Sequence, residues 1–226
     1  MVGRKQEKET VDILIITGGR LEAEYAKAYL QGKSFERIIA ADAGLASLKK
    51  LSLVPTDILG DFDSLSDKSI LKDYADQGIP VHSFPVRKDY TDTHLAVLCA
   101  LDYHPDAITI LGATGSRADH FLANVGLLQG LASMGIDGII ADRHNEISML
   151  CGPAERVYRR NPDFPWFSLM AWGGDAGGID LDGFSYPLHN AILSTDISLG
   201  ISNELTEEAG TVKIKSGYLL VIRSSD

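Results

Sequence analysis

Aspartates follow apolar runs at three places in this sequence, in a pattern that could hold a metal ion. They occur in residues 60–64 (GDFDS), 88–92 (KDYTD) and 117–120 (RADH). Carboxylates gathered in one crevice repel one another, so a cation usually lies among them. Mg²⁺ held by a few carboxylates and by substrate phosphates is the commonest such arrangement in nucleotide enzymes. The pattern therefore indicates a magnesium site that binds a phosphorylated ligand.

Asp61 and Asp63 are the strongest candidates for metal ligands. If this stretch is extended, the two carboxylates share one side while Phe62 between them turns toward the core. Gly60 gives the backbone freedom at the end of the preceding strand. An Asx-turn, in which an aspartate caps the next helix, is the structural alternative. The acid clusters elsewhere in the chain favour the metal site.

Thr91 and Asp92 stand at the start of an apolar segment, 92–101, that predicts a buried helix. Either residue could be the N-cap of this helix. Because a helix N-terminus favours negative charge, Asp92 should stay ionised and available to a metal. Lys88 is a candidate phosphate contact, with a solvated loop lysine as the alternative.

Residues 112–117 (GATGSR) connect a predicted strand to a predicted helix. Small residues such as Gly112 let backbone N–H groups approach a ligand, and a helix N-terminus binds anions. Arg117 adds a cation for phosphate, and Asp119 adds an acid for a nucleotide or a metal. The GxxxxGK[ST] pattern of a Walker A loop is absent from the sequence. A second loop, 17–20 (TGGR), offers Arg20 as a further phosphate clamp.

Alternating strands and helices in residues 1–145 predict the sheet that would position these loops. We expect strands at 11–16, 37–41, 57–59, 80–84, 107–111 and 138–141, and helices at 21–30, 46–50, 66–77, 92–101 and 118–134. This order is typical of a mostly parallel, Rossmann-like sheet with helices on both faces. Ligands bind beyond the carboxyl ends of such strands, which is where Asp42, Asp61 and Gly112 fall.

Residues 146–226 have a different pattern, with short apolar runs separated by turn residues. The runs are 146–150, 167–171, 178–181, 196–201, 211–215 and 218–222. They predict a small antiparallel β-sandwich that follows the α/β part. The glycine-rich stretch 173–178 does not match GxGxxG, so we interpret it as a flexible β-connection rather than a dinucleotide loop.

The net charge of −10 argues against non-specific binding to nucleic acid or to an anionic membrane. No apolar run approaches the roughly 20 residues that a membrane-spanning helix needs. The polar first ten residues lack the apolar segment of a signal peptide, and Cys99 and Cys151 have no CxxC spacing. We therefore expect a cytoplasmic protein without nucleic-acid or membrane partners.

Taken together, the ordered motifs resemble those of the thiamine pyrophosphokinase family. Most of the chain takes part, through residues 41–44 (ADAG), 55–57 (PTD), 60–64, 88–93 (KDYTDT), 112–120, 201–204 (ISNE) and a closing hairpin. Ala43 and Ser116 stand where the family often has glycine, and neither departure touches the acids.

The resemblance implies an α/β catalytic domain that binds ATP (1–145), a β-sandwich domain that binds thiamine (146–226), and a homodimer with its active site between subunits. It implies Mg²⁺-dependent transfer of pyrophosphate from ATP to the thiamine hydroxyl, which leaves AMP. By motif, Asp61, Asp63 and Asp92 match the catalytic magnesium ligands. Further motif matches place other residues near the nucleotide or thiamine, namely Asp42, Lys88, Thr91, Arg117, Asp119, Ser202 and Asn203.

Two other functions fit the same residues without thiamine chemistry. A metal-dependent nucleotide hydrolase would turn over ATP equally well without thiamine. A non-catalytic nucleotide or vitamin sensor would bind without turnover. The complete set of acids disfavours the sensor, since a sensor need not retain a metal cluster.

Overall fold

The described residues form one mixed sheet of twelve strands. The computed structural model describes residues 10–63, 69–85 and 89–226. Two residues of the predicted motifs, Ser64 and Lys88, lie outside these ranges. Across the sheet the strands follow the order 81–83, 57–60, 37–41, 12–16, 107–111, 137–141, 145–151, 216–224, 166–182, 209–214 and 154–159, and strand 188–193 pairs with strand 166–182.

The first six strands pair in parallel, as the alternating pattern predicts. They are β1 (Asp12–Ile16), β2 (Arg37–Ala41), β3 (Asp57–Gly60), β4 (Val81–Ser83), β5 (Ala107–Leu111) and β6 (Asp137–Ala141). Branched aliphatic residues dominate β1 and β5, which lie at the centre of this part and are buried on both faces.

In the part of the chain that the structure describes, five helices cover both faces of the parallel strands, which confirms that expectation. They are α1 (Ala23–Leu30), α2 (Gly44–Leu51), α3 (Ser69–Asp76), α4 (Asp92–Leu101) and α5 (Ala118–Ser133). The first three pack in one apolar cluster with side chains such as Leu14 and Ile16 of β1. The last two pack in another cluster with Ile13 and Ile15, so alternate residues of β1 face opposite layers.

The remaining six strands are antiparallel, so the description of the sheet as mostly parallel is wrong for the sheet as a whole. These strands are β7 (Asn145–Cys151), β8 (Ala154–Arg159), β9 (Trp166–Asp182), β10 (Leu188–Leu193), β11 (Ala209–Ile214) and β12 (Ser216–Ser224). β7 pairs antiparallel with β6, from Ile139 opposite Ser148 to Ala141 opposite Glu146. This pairing joins the two halves in one α/β fold with a mixed sheet.

Strand β9 is long and contains a glycine-rich stretch near its middle. Its first part pairs with β12, and its second part pairs with β10 and β11. Gly173 and Gly174 have φ angles of +69° and +155°, which are backbone conformations that residues other than glycine rarely adopt. The stretch interpreted as a connection is therefore part of a strand. Both parts of β9 contribute to one apolar cluster, which includes Phe167 and Ile179.

Sequence patterns miss some elements of this half. Strands β8 and β10 are absent from the predicted runs, and the run at 196–201 is not a strand. The division into domains at residues 145 and 146 stays a prediction. Among the described residues, no helix is long and apolar enough to cross a membrane.

Candidate active site

A cavity of about 1180 Å³ opens where β1 and β5 end side by side. The strand order reverses at this point, since the chain moves from β1 to β2 on one side and later returns to β5 on the other. The hydroxyl of Thr17 donates to the carbonyl oxygen of Gly112 at 2.6 Å, which connects the loop after β1 to the loop after β5. Ligands of open α/β sheets bind at such a reversal.

The lining of the cavity contains six carboxylates and three arginines among the described residues. The acids are Glu22, Asp42, Asp61, Asp89, Asp92 and Asp142, and the arginines are Arg20, Arg117 and Arg143. Thr91 and Gly112, which the sequence predicts as nucleotide contacts, also line it. The excess of acids makes this a place for bound cations.

Asp42, Asp61 and Asp63 form a close group of acids at this edge. Each offers a carboxylate oxygen, and these oxygens lie within 4.8 Å of one another. Carboxylate oxygens are the hard ligands that Mg²⁺ prefers, so this group suits a divalent ion. The predicted set contained Asp92 in place of Asp42. Asp92 lines the same cavity but is not part of this group.

Asp42 reaches the group because two backbone segments approach each other closely. Its N–H donates to the carbonyl oxygen of Leu59 in β3 at 2.7 Å, and its φ angle is +48°. Aspartate tolerates this left-handed conformation better than most residues. A Cβ atom added at Gly60 would lie only 3.0 Å from the Cα of Asp42. Glycine at position 60 therefore allows the ends of β2 and β3 to bring their acids together.

Phe62 separates the two acids of the GDFDS motif in an unexpected way. The shared-side arrangement considered for these acids requires an extended stretch, and this condition is not met because Phe62 has a φ angle of +57°. Its ring is buried in the apolar cluster of α1, α2 and α3, as predicted. A left-handed conformation of a bulky residue costs roughly 1–3 kcal/mol and persists only where surrounding structure enforces it. The buried ring thus helps to hold Asp61 and Asp63 near each other.

Helix α4 presents Asp92 in its first turn. The Oγ1 of Thr91 accepts a hydrogen bond from the backbone N–H of His94 at 3.2 Å, so Thr91 is the N-cap. This confirms that one of the two predicted residues caps the helix. Asp92 then occupies the first helical position, next to the backbone N–H groups at the start of the helix.

The loop before α5 is fixed from both sides. Asn124, which is buried, donates from Nδ2 to the carbonyl oxygen of Ala113 at 2.8 Å. Arg117 forms an ion pair with Asp119, with Nη2 and Oδ2 2.6 Å apart. The hydrogen bond from Arg117 lowers the pKa of Asp119 to about 2. Arg117 lines the cavity, whereas Asp119 is outside the lining formed by the described residues.

Residues 142–144 complete the far end of the cavity and were not predicted. Glu22 accepts from Arg143 at 3.0 Å and from Arg20 at 3.1 Å, so it links two arginines of the lining. The hydrogen bond from Arg143 lowers the pKa of Glu22. A signal was present in the sequence, because residues 142–144 directly follow the predicted strand 138–141. The rule that placed Asp42 at a carboxyl strand end applies equally to them.

Ser202 and Asn203 lie in the antiparallel half, outside the described lining of the cavity. Ser202 is exposed with a φ angle of +57°, and its N–H donates to the Oγ of Ser168 at 3.0 Å. Asn203 is buried and pairs with Phe167 in an isolated β-bridge. This monomer therefore does not bring the predicted thiamine-contacting segment to the acids.

Two family models match the chain. The model of the thiamin pyrophosphokinase catalytic domain matches residues 27–139, and that of the thiamin pyrophosphokinase vitamin B1 binding domain matches residues 156–219. A curated relative, the thiamine pyrophosphokinase of Bacillus subtilis (strain 168), is 35% identical over 189 residues, which is 83% of this chain and 87% of the relative. The chain belongs to the thiamin pyrophosphokinase family.

Solved structures of thiamin pyrophosphokinases have the same fold over nearly the whole chain. The structure of the Bacillus subtilis thiamine pyrophosphokinase has a TM-score of 0.84 and 33% identity, covering 95% of this chain and 99% of that one. The structure of the thiamin pyrophosphokinase of Geobacillus thermodenitrificans has a TM-score of 0.82 and 31% identity, covering 96% of this chain and 98% of that one. The mixed α/β fold described above is thus that of thiamin pyrophosphokinases.

Proposed function

We propose that this chain transfers a pyrophosphoryl group from ATP to the hydroxyl of thiamine, giving thiamine diphosphate and AMP, in a Mg²⁺-dependent reaction. The observation that carries this proposal is the meeting of Asp42, Asp61 and Asp63, the first two of which line a cavity that also contains three arginines. Membership of the thiamin pyrophosphokinase family supports the choice of substrates.

The charges of the cavity argue for a metal-bound nucleotide. Six carboxylates against three arginines would repel the phosphates of a free nucleotide. Divalent ions held by the acids reverse this local charge, so phosphates can then bind. The volume of about 1180 Å³ exceeds that of most drug-sized pockets, which leaves room for a nucleotide.

Asp61 and Asp63 are proposed as magnesium ligands, with Asp42 as the third carboxylate that the geometry adds. Bound there, the metal would offset the charge that develops on phosphate oxygens during transfer. Asp92 stays a candidate ligand from the neighbouring helix. Asp92 or Asp63 is also a candidate acceptor for the proton of the thiamine hydroxyl.

The phosphates are proposed to bind between the loop at Gly112 and the start of helix α4. Backbone N–H groups and Arg117 would face them on one side, and Thr91 on the other. Arg117 is exposed and paired with Asp119, so it can exchange this partner for a phosphate. Lys88, outside the described residues, stays a predicted phosphate contact.

A homodimer would explain why the predicted thiamine segment is separate from the acids of its own chain. Apolar side chains that precede Ser202 closely in the sequence are exposed, namely Ile192, Ile197, Leu199 and Ile201. Exposed apolar residues gathered in one region are typical of an interaction surface. We propose that this surface pairs two copies and brings Ser202 and Asn203 of one copy to the cavity of the other. On this proposal, residues 1–145 form the catalytic domain and 146–226 the thiamine-binding domain.

The deciding experiment incubates the protein with ATP, Mg²⁺ and thiamine and separates the products. AMP and thiamine diphosphate in equal amounts are expected. ADP would indicate ordinary kinase chemistry, and ATP turnover that ignores thiamine would indicate the hydrolase. Saturable binding without any turnover would indicate the sensor. The cytoplasmic location stays a prediction.

The shared site is tested by mixing two inactive variants. An Asp61→Asn chain lacks a metal ligand, and a Ser202→Trp chain has a blocked thiamine segment. If each site uses both chains, mixed dimers contain one intact site and regain activity. Light scattering would report the dimer in the same samples. A monomer, or mixtures that stay inactive although mixed dimers form, would contradict the shared site.

A further inference from the structure

Asn203 uses its side-chain amide as if it were part of the backbone. Its Oδ1 accepts hydrogen bonds from the N–H groups of Tyr186 at 3.0 Å and Glu204 at 2.9 Å. Its Nδ2 donates to the carbonyl oxygen of Tyr186 at 2.8 Å. Both lone pairs of Oδ1 and one hydrogen of Nδ2 are therefore engaged within the protein. Only 4% of Asn203 is exposed.

The surrounding backbone shows what this amide completes. Residues 184–186 run antiparallel to residues 203–205, with a bridge from Phe184 to Leu205 and a hydrogen bond from the N–H of Ser185 to the carbonyl oxygen of Glu204 at 2.9 Å. At Tyr186 the partner is the Asn203 side chain, which supplies the acceptor and the donor that a peptide group would supply. The amide thus extends the pairing by one residue.

The residue held in this way is an exposed aromatic. Tyr186 is 68% exposed, although both of its backbone hydrogen-bonding groups are fixed by a buried side chain. An aromatic face attracts cations, and the thiazolium ring of thiamine carries a positive charge. Tyr186 also lies within residues 156–219, which the vitamin B1 binding model matches.

We infer that Asn203 is a positioning residue, which fixes Tyr186 as an aromatic contact for the thiamine cation and does not itself touch thiamine. This inference rests on the proposed function. It replaces the direct contact that the motif resemblance suggests for Asn203, because its Oδ1 and one hydrogen of its Nδ2 are already bonded to Tyr186 and Glu204, and only 4% of the residue is exposed. The adjacent Ser202 keeps its proposed contact role.

Two single variants and their combination test this inference. Tyr186→Ala removes the ring from an exposed position, so the protein should fold, and the Kd and KM for thiamine should rise about tenfold. Asn203→Asp keeps the acceptor but places a carboxylate oxygen against the Tyr186 carbonyl, so we expect a rise of about fivefold. Because both changes act through one ring, the Kd and KM for thiamine of the double variant should rise about tenfold rather than about fiftyfold.

Matched controls separate positioning from general stability. Tyr186→Phe keeps the ring and should bind thiamine like the unchanged protein. Thr206→Val removes a hydroxyl that donates to the Gly183 carbonyl oxygen at 3.1 Å, beside the same pairing. It should lower the melting temperature slightly and leave the thiamine Kd unchanged. The KM for ATP should stay constant in every variant.

The outcomes distinguish a failure of the positioning role from a failure of the proposed function. If the unchanged protein neither binds nor converts thiamine, the proposed function fails. If it does both, multiplying effects of Tyr186→Ala and Asn203→Asp would overturn the positioning role. An unchanged thiamine Kd in Tyr186→Ala would overturn it too, even if Asn203→Asp did not fold. Equal increases in the KM for ATP and in the KM for thiamine would indicate a structural role only.

Discussion

Strand β3 has an aspartate at each end, and the two carboxylates have different surroundings. Asp57, its first residue, is only 2% exposed. Its Oδ1 accepts from the hydroxyl of Tyr103 and its Oδ2 from that of Thr56, both at 2.9 Å. Asp61 follows the last residue of β3, and one of its carboxylate oxygens lies within 4.8 Å of those of Asp42 and Asp63. Asp61 also accepts a hydrogen bond from the backbone N–H of Asp63 at 3.2 Å. The same residue type thus lies among hydroxyl donors at one end and beside other acids at the other.

This difference shows how a structural acid can be told from a functional one. Hydroxyl donors already satisfy the carboxylate of Asp57, so it needs nothing from outside the protein. Asp61 lies near acids of its own sign, an arrangement that an external cation would stabilise. Only three residues separate the two in sequence, and both stand beside apolar runs, so their neighbours in space decide which acid is structural and which is functional.

The largest expected effect comes from Asp61→Asn, which removes charge from the acid cluster without changing its shape. Turnover with ATP, Mg²⁺ and thiamine should fall by about 10²–10³-fold, since charge at the reacting phosphates is no longer stabilised. The melting temperature in metal-free buffer should stay equal or rise, because like charges no longer repel. Asp57→Asn is the matched control and should keep its turnover. Unfolding of the Asp61→Asn protein would make Asp61 a structural turn residue.

A smaller effect, on stability, is expected at the other end of β3. Asp57→Ala leaves the Tyr103 hydroxyl without its acceptor, which should lower the free energy of unfolding by about 1–3 kcal/mol. Urea denaturation measures this change. Turnover of the folded protein should change little, because Asp57 lies at the opposite end of the strand from the cavity. A loss of turnover without a loss of stability would remove the distinction between the two ends.

Magnesium itself should stabilise only the cavity end. At a concentration ten times its Kd, Mg²⁺ should raise the melting temperature by roughly 3–6 °C, from about 1.4 kcal/mol of binding free energy. The shift should disappear in Asp61→Asn and persist in Asp57→Asn. Thermal melts across a Mg²⁺ titration check this, with Na⁺ at equal ionic strength as the control. Equal shifts in both variants would place the binding site elsewhere.

The smallest effect concerns Asp119, an acid that an arginine satisfies. Arg117 lowers its pKa to about 2, so Arg117→Ala should return this pKa toward its ordinary value of about 3.9. Because the pKa is lower in the folded protein, the stabilising contribution of the pair is present above about pH 4 and disappears as the pH falls toward 2. NMR titration of the side-chain carboxyl carbon measures both pKa values. An unchanged pKa in the variant would exclude Arg117 as the cause.

Much of the parallel half could be predicted because its strands are buried and its turns are short. The strands 37–41 and 107–111 and the helix 92–101 have the predicted bounds. The antiparallel half was harder, since β8 and β10 are amphipathic strands with exposed residues such as Val157 and Ile192. Apolar runs alone therefore do not mark these two strands.

The sequence by itself determined which residues could do chemistry, because parallel strands bring their carboxyl ends to one edge and acids that follow them must meet there. Only the tertiary structure decided that Asp42 joins Asp61 and Asp63, since their separation depends on the φ angle of Phe62 and on the close approach that Gly60 permits. It also decided that Asn203 holds Tyr186, because the pattern of apolar residues reports which positions are buried but not which groups a buried amide contacts.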